Sequence, residues 1–386
     1  MKIYVVCSSL VIEKKLGCVP VWWQFLKALN ELGVQLVVSP WDQDVLNTLW
    51  WETYPKITYH RLIDGSLQVM EAFLNKNQNG ENWAGGKMIS FHRNLTQNNF
   101  MEIFDEVLKQ EHDIDAIVFF STPMPLTKGL ASRIRKKYSI PTIYFEGDLP
   151  AILPKYGSYS LKVSPYGDAD ISEYDAFVVT SKGVVPEIEK LGARNVTVIY
   201  YGADAGLFAP LQTDQNIDVL FQGIGTLYRQ DWMSAMITEP SKQLVQHNFG
   251  LVGTGFDIDI GRAKIMLSTS FSAFRFLCAQ SKINLNITRK PFAEVYASST
   301  ARIFELTSMG CCVVSNPCLG IDEWFDTKNE IRVVSNAKDA VDTYEHLLNN
   351  PEERYALGRH ARERVLKDHT YQNRAKALIN LTKKLK

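Results

Sequence analysis

Short runs of β-branched and aromatic residues recur along the chain, and stretches of helical periodicity separate them. In the first half the apolar runs are KIYVVCS (Lys2–Ser8), VQLVVS (Val34–Ser39), DAIVFFS (Asp115–Ser121), PTIYFEGD (Pro141–Asp148) and AFVVTS (Ala176–Ser181). Continuous apolar runs bounded by turn residues predict strands buried on both faces, the signature of parallel sheet. PVWWQFLKALNELG and LTKGLASRIRKKYS read as helices, the first closed by Gly33 and the second followed by Pro141. Between them the polar, Gly/Asn-rich segment Asn75–Gly86 reads as a surface loop.

A second series begins after GADAGLFAPLQTDQN (Gly202–Asn216), a Gly/Pro-containing polar stretch suited to a domain linker. Its strands are DVLFQG (Asp218–Gly223), FGLVGTG (Phe249–Gly255), KINLNI (Lys282–Ile287), CCVVSN (Cys311–Asn316) and IRVVS (Ile331–Ser335). The tail, PEERYALGRHARERVLKDHTYQNRAKALINLTKKLK, reads as two helices parted near Asp368–Thr370. The pattern predicts an α/β chain of two doubly wound Rossmann-like domains facing across a cleft, over residues 1–202 and 203–370, with a last helix over 371–386. In such sheets ligands bind beyond the carboxyl ends of the strands, so two facing domains can hold two substrates.

Composition narrows the classes. The 386 residues are 46% hydrophobic and 22% charged, as in a globular protein, and exceed one ordinary core. Lys+Arg and Asp+Glu both number 42, so the net charge is zero and a nucleic acid is not an expected partner. The basic run RIRKK (Arg133–Lys137) reads as a solvated helix face. The opening MKIYVVCSSLV is a short apolar run leading into EKK, which fits a first buried strand better than a leader. No apolar run reaches the ~18–20 residues of a membrane span. A cytoplasmic location follows as the expectation, with peripheral membrane attachment still allowed. Six cysteines without CxxC spacing fit reduced, buried thiols, and seven scattered histidines form no metal pattern. Neither a metal nor a cofactor is expected.

The segment SSTARIFELTSMGCCVVSN (Ser298–Asn316) carries the most chemistry. Ser298, Ser299 and Thr300 precede a helix-forming run ending at Gly310, so a helix N-terminus there offers free N–H groups to an anion. Arg302 and Glu305 lie one turn apart on one face. A phosphate at the helix start with a carboxylate further along suits a nucleotide diphosphate and its ribose. An ordinary capped helix with a surface ion pair worth ~0.3–0.5 kcal/mol is the plain alternative.

With these residues in view, the linker YYGADAGLFAP resembles the linker of GT-B glycosyltransferases. KINLNI followed by ARIFELTSMGCCVVSN is similar to the nucleotide-binding core of the group 1 glycosyltransferase family, in particular its CgeB-like (spore maturation protein-like) branch. The tail resembles terminal helices that cross back to the N-terminal domain in that family. The resemblance covers Tyr174 to the C-terminus by motif, and Met1–Glu173 by strand order. It implies a metal-independent, retaining transfer of a sugar from a nucleotide diphosphate-sugar, bound by the C-terminal domain, to an acceptor held by the N-terminal one. The acceptor class stays open among glycan, lipid-linked glycan, small molecule and protein, and so does the oligomeric state.

By the same resemblance Glu305 binds the ribose hydroxyls, and Ser298, Ser299 and Thr300 form the phosphate-side turn. Arg229, in GIGTLYRQD, meets the diphosphate above the close turn of Gly223 and Gly225, and Lys282 and Asn286 flank a strand near the same site. Many retaining relatives carry a second glutamate eight positions before the first; here that position is Ala297, and other groups must orient the sugar. At the end of PTIYFEGDLP, Glu146 and Asp148 are candidates for handling the acceptor hydroxyl, against a turn in which Asp148 caps the segment before Pro150. Trp22, Trp23 and Trp41 lie near early strand ends, where core packing competes with sugar stacking. An epimerase-like nucleotide-sugar enzyme and a non-catalytic nucleotide-sugar-binding protein remain the rival functions.

Overall fold

The computed structural model describes residues 1–7, 19–40, 48–54, 98, 100–122, 124–152, 170–225, 228–266 and 270–386. The loop expected over Asn75–Gly86, together with Trp41 and Cys18, lies outside them. The first sheet contains β1 (Lys2–Cys7), β2 (Gln35–Pro40), β3 (Glu52–Thr53), β4 (Ala116–Phe120), β5 (Thr142–Glu146), β6 (Ala176–Val179) and β7 (Val196–Val198). Its strands are all parallel, in the order β3-β2-β1-β4-β5-β6-β7. The second contains β8 (Ile217–Ile224), β9 (Phe249–Thr254), β10 (Lys264–Ile265), β11 (Ser281–Asn286), β12 (Val313–Ser315) and β13 (Arg332–Val333). It is again parallel throughout, in the order β10-β9-β8-β11-β12-β13.

In each sheet the winding reverses beside the first strand. Connections leave β1 and β4, or β8 and β11, toward opposite faces, and a crevice opens at their carboxyl ends. The central strands are buried on both faces, as their unbroken apolar runs require. Ile3, Val5 and Cys7 face Phe25 and Leu29 of the helix Val21–Glu31, while Tyr4 and Val6 face Phe100 and Phe104 of a helix over 100–110.

The last helix, Tyr371–Leu385, inserts Tyr371, Ala375, Leu378 and Leu381 into the core of the first sheet. Its start is fixed by a capping box between Thr370 and Asn373. There it runs beside the linker, where Ala203 N–H donates to the His369 carbonyl and Tyr371 N–H donates to that of Ala203. The chain therefore crosses between the sheets twice along one seam.

The back of the second sheet is held by close backbone contact. Gly310, at φ +74°, ends the helix Ala301–Ser308 and lies against Gly358 of the helix Pro351–Asp368, so close that a Cβ on Gly358 would strike the Gly310 carbonyl oxygen. That neighbour is backbone and cannot rotate away. Gly358→Ala should lower stability by on the order of 1–3 kcal/mol, read as a shifted urea midpoint at unchanged slope. An unmoved midpoint would mean that the two helices separate without cost.

Candidate active site

On the first sheet the site starts where β5 ends. Glu146 is its last residue and is 7% exposed, and its Oε1 accepts hydrogen bonds from Asp148 N–H at 3.0 Å and Ser121 Oγ at 3.3 Å. The Tyr144 hydroxyl reaches Oε2 at 3.4 Å. Burial pushes the Glu146 carboxyl up to about 7; the Asp148 charge adds to this and the donated hydrogen bonds oppose it. Gly147 follows, and a Cβ there would collide with the Tyr201 hydroxyl and the Trp22 ring. Burial, first, and then the neighbouring Asp148 charge hold the Tyr201 hydroxyl well above its ordinary value, so it is a neutral hydrogen-bonding group. Asp148 itself is exposed, with 63% of its side chain accessible.

On the second sheet the site gathers at the crevice between β8 and β11. Arg229 spans it, with Nε donating to the Ile287 carbonyl at 2.6 Å and Nη1 to that of Ile224 at 3.2 Å. Lys290 N–H donates to the Tyr228 carbonyl at 3.0 Å, drawing the two post-strand loops together. Arg289 lies over the Phe292 ring at 4.5 Å and reaches across to Asp148, Nη2 to Oδ1 at 2.9 Å. A cavity of about 630 Å³ adjoins these groups, bounded by Tyr228, Arg229, Trp232, Lys290, Glu294 and Leu319. That volume is in the range of small-molecule sites. Cations thus stand at the carboxyl end of one sheet, opposite carboxyls at the carboxyl end of the other.

The remaining residues singled out by sequence are taken up by protein partners, and Ser299 Oγ accepts from the backbone N–H of the cleft residue Tyr201 at 3.0 Å. Ser298 and Ser299 are buried in a seam with the first sheet: Ser298 Oγ pairs with Ser181 Oγ, and Ser299 N–H and Oγ both donate to the Thr180 carbonyl, at 3.1 and 2.9 Å. Thr300 is the N-cap residue of the helix Ala301–Ser308, but its hydroxyl caps no N–H. Glu305 is buried with its Oε2 2.9 Å from Arg302 Nη1, out of hydrogen-bonding line. Burial raises the Glu305 carboxyl, against Arg302 and a hydrogen bond to Gln24 of the first sheet's helix. Arg302 also stacks on Phe274 at 4.5 Å. The pair is therefore enclosed between the sheets and is no surface ion pair.

Three expectations need correction. Lys282 is the second residue of β11, and its Nζ is held by Asp218 Oδ1 at 2.7 Å; a parallel strand puts its two ends at opposite ends of the sheet, so Lys282 is remote from the crevice. Asn286 does end β11, but its amide is spent on Ser315 Oγ at 2.9 Å and Thr288 Oγ1 at 3.1 Å. Gly223 and Gly225 answer to protein neighbours: a Cβ on Gly223 would press on the Phe221 ring at 3.0 Å, and one on Gly225 would meet the Gly255 carbonyl oxygen and the Phe256 ring. Trp22 and Trp23 are core residues. The cleft residues that sequence reasoning passed over are Ser121, Tyr201, Arg289 and Lys290. A signal existed for two of them, the basic pair one residue after KINLNI, at the carboxyl end of a central strand.

Residues 229–380 match the model of a family described as glycosyl transferase-like. No curated protein sequence matches the chain. Among solved structures, sucrose-phosphate synthase from Thermosynechococcus elongatus is similar at a TM-score of 0.65 and 13% identity, over 100% of this chain and 98% of that one. HepE from Anabaena, in complex with UDP and glucose, is similar at a TM-score of 0.61 and 12% identity, over 100% of both chains. An alpha,alpha-trehalose 6-phosphate synthase from Burkholderia multivorans reaches a TM-score of 0.62 at 10% identity, over 99% of this chain and 98% of that one. The architecture shared along the whole length is the GT-B fold, two parallel-sheet α/β domains.

Proposed function

We propose that this GT-B chain is a glycosyltransferase that moves a sugar from a nucleoside diphosphate-sugar to an acceptor hydroxyl, without a metal and with retention at the anomeric carbon. The observation that carries the reading is the confrontation of the two crevices, Arg229, Arg289 and Lys290 on one side and Glu146, Asp148 and Tyr201 on the other, tied by the Arg289–Asp148 pair. The family match over residues 229–380 supports it. HepE, which binds UDP-glucose, makes a uridine nucleotide the first donor to test.

In this reading Arg229 and Lys290 face the diphosphate in the adjoining cavity, and Arg289 meets it from the cleft. Their positive charge opposes the negative charge that grows on the leaving phosphate as the bond between the sugar C1 and the phosphate oxygen breaks. The acceptor oxygen forms the new bond to C1, and its proton passes to an oxygen of the departing diphosphate. Glu146 is a poor acceptor base, because it is buried and Oε1 already accepts two hydrogen bonds. Retention follows, since the departing phosphate then both leaves and takes the proton on one face. Asp148 and Tyr201 orient the acceptor. Glu305 receives no donor contact here, its carboxyl being enclosed with Arg302 and Gln24.

Calorimetry with UDP, UDP-glucose, other nucleoside diphosphates and uridine tests the donor site. A diphosphate should bind and raise the apparent stability by about 2.7 kcal/mol at a hundred times its Kd, and the nucleoside should bind far more weakly. If no nucleoside diphosphate binds, the reading fails. NMR of the product anomer tests the stereochemistry, and an inverted product would return the base role to a protein carboxylate.

A further inference from the structure

A second cavity, of about 460 Å³, lies at the other end of the second sheet, where β8, β11 and β12 begin. Leu211, Met309 and Cys312 contribute apolar surface to it, and Arg354, Arg359 and Arg362 bring three positive charges along one helix. No carboxylate is among its lining residues, and Lys282 at its edge is already neutralised by Asp218. Arg354 and Arg362 are spent on backbone carbonyls. Arg354 Nη1 donates to the carbonyls of Leu347 and Leu348, Arg362 Nη1 to that of Ser308, and Arg359 Nη2 lies 3.3 Å from His360 Nε2. Arg354 is 6% exposed, and its Nε has no hydrogen-bond partner among the described residues.

Cationic groups gathered in a recess without a counter-charge are costly unless an anion completes them. Guanidinium groups favour phosphate oxygens, which they can meet with paired hydrogen bonds. The apolar floor calls for an organic body on that phosphate. We propose that this cavity is a second, regulatory site that binds a phosphate ester, from either a soluble sugar phosphate or a phospholipid headgroup.

Its walls explain why occupancy would regulate. Pro210, Leu211, Gln212, Thr213 and Gln215 of the linker between the sheets form one wall, with Gln215 bonded to Ser281 at 3.2 Å and to Tyr355 at 3.4 Å. Met309 and Gly310 form another, and they close the helix whose opposite end joins the seam to the first sheet. A ligand here bears on both structures that set how the sheets face each other, and it does so at the end of the second sheet remote from the cleft.

The test does not depend on transferase activity. Glucose 6-phosphate and inorganic phosphate are titrated by calorimetry into wild type, Arg359→Glu, Arg359→Glu/Arg362→Gln and Arg289→Ala. Phosphatidylcholine vesicles with and without phosphatidic acid are tested by flotation. We expect one phosphate ester to bind wild type, at least about ten-fold weaker binding in Arg359→Glu, loss in the double variant, and binding within about two-fold of wild type in Arg289→Ala. Arg359 is exposed, so the single variant reports on the site even if the double variant folds poorly. Flotation only with phosphatidic acid, abolished by Arg359→Glu, would support the site and identify the headgroup as its source. Binding to neither probe, or binding that Arg359→Glu leaves intact, would overturn the proposal. A loss that follows Arg289→Ala instead would assign the phosphate to the cleft and overturn it as well.

Discussion

Arg289→Ala should slow transfer by on the order of 100–1000-fold while the protein stays folded. The side chain stands at the carboxyl end of the central strand β11, braced on the Phe292 ring, with its guanidinium turned into the cleft toward Asp148. Charge on the leaving diphosphate is greatest in the transition state, so the loss belongs in kcat more than in KM. A competing account would give Arg289 only the task of pairing with Asp148. Asp148→Asn separates the two, because a pair with so exposed a carboxylate contributes roughly 0–1 kcal/mol. Asparagine also keeps an oxygen that can accept from the acceptor hydroxyl, so this variant should retain most of its activity. Equal losses in both variants would reduce Arg289 to an interdomain tie, and a wild-type kcat in Arg289→Ala would remove it from the chemistry.

The sheet architecture was legible because each central strand is buried on both faces and so reads as an unbroken apolar run. The strands that escaped notice, Glu52–Thr53, Val196–Val198 and Lys264–Ile265, are edge strands too short to carry any period. LTKGLASRIRKKYS reads as one helix, but the structure divides it at Gly129, whose φ of +82° starts the helix Leu130–Tyr138 afresh after a separate turn, Met124–Thr127. The candidate site was legible only in part. Position relative to a strand end found Glu146, Asp148 and Arg229, since the carboxyl end of a parallel strand is where a crevice can form. The same rule, applied to the direction of β11, would have rejected Lys282 and selected Arg289 and Lys290. Sequence could not show that Ser298 and Ser299 face Thr180 and Ser181, more than a hundred positions away, because their polar atoms suit a phosphate and a backbone seam equally well. Tyr201 was hidden by its place in the linker, where nothing local marks a residue that closes over Gly147.

Glu146→Gln should change the pH dependence of stability more than any other single substitution at the cleft. In the folded protein burial holds the carboxyl near 7, against an ordinary value of 4.5. Below the ordinary value the group is protonated whether the chain is folded or not, and it carries no penalty. As pH rises from there toward 7, the unfolded chain releases the proton while the folded chain keeps it, so stability falls with pH, and above 7 the loss levels off. A displacement of this size corresponds to about 3 kcal/mol in total. The glutamine variant has no charge to bury and still offers an oxygen to Asp148 N–H. Subtracting its urea-unfolding free energies from those of wild type should give a difference that falls by about 3 kcal/mol between roughly pH 4.5 and 7 and is flat on either side. A difference independent of pH would show that Glu146 ionises freely in the fold. The same variant then weighs on mechanism. If the leaving phosphate takes the acceptor's proton, a carboxyl that is only half ionised at pH 7 loses little by becoming an amide, and transfer should survive. Abolished transfer with intact nucleotide binding would instead make the ionised carboxyl the base, and with it an inverting reaction.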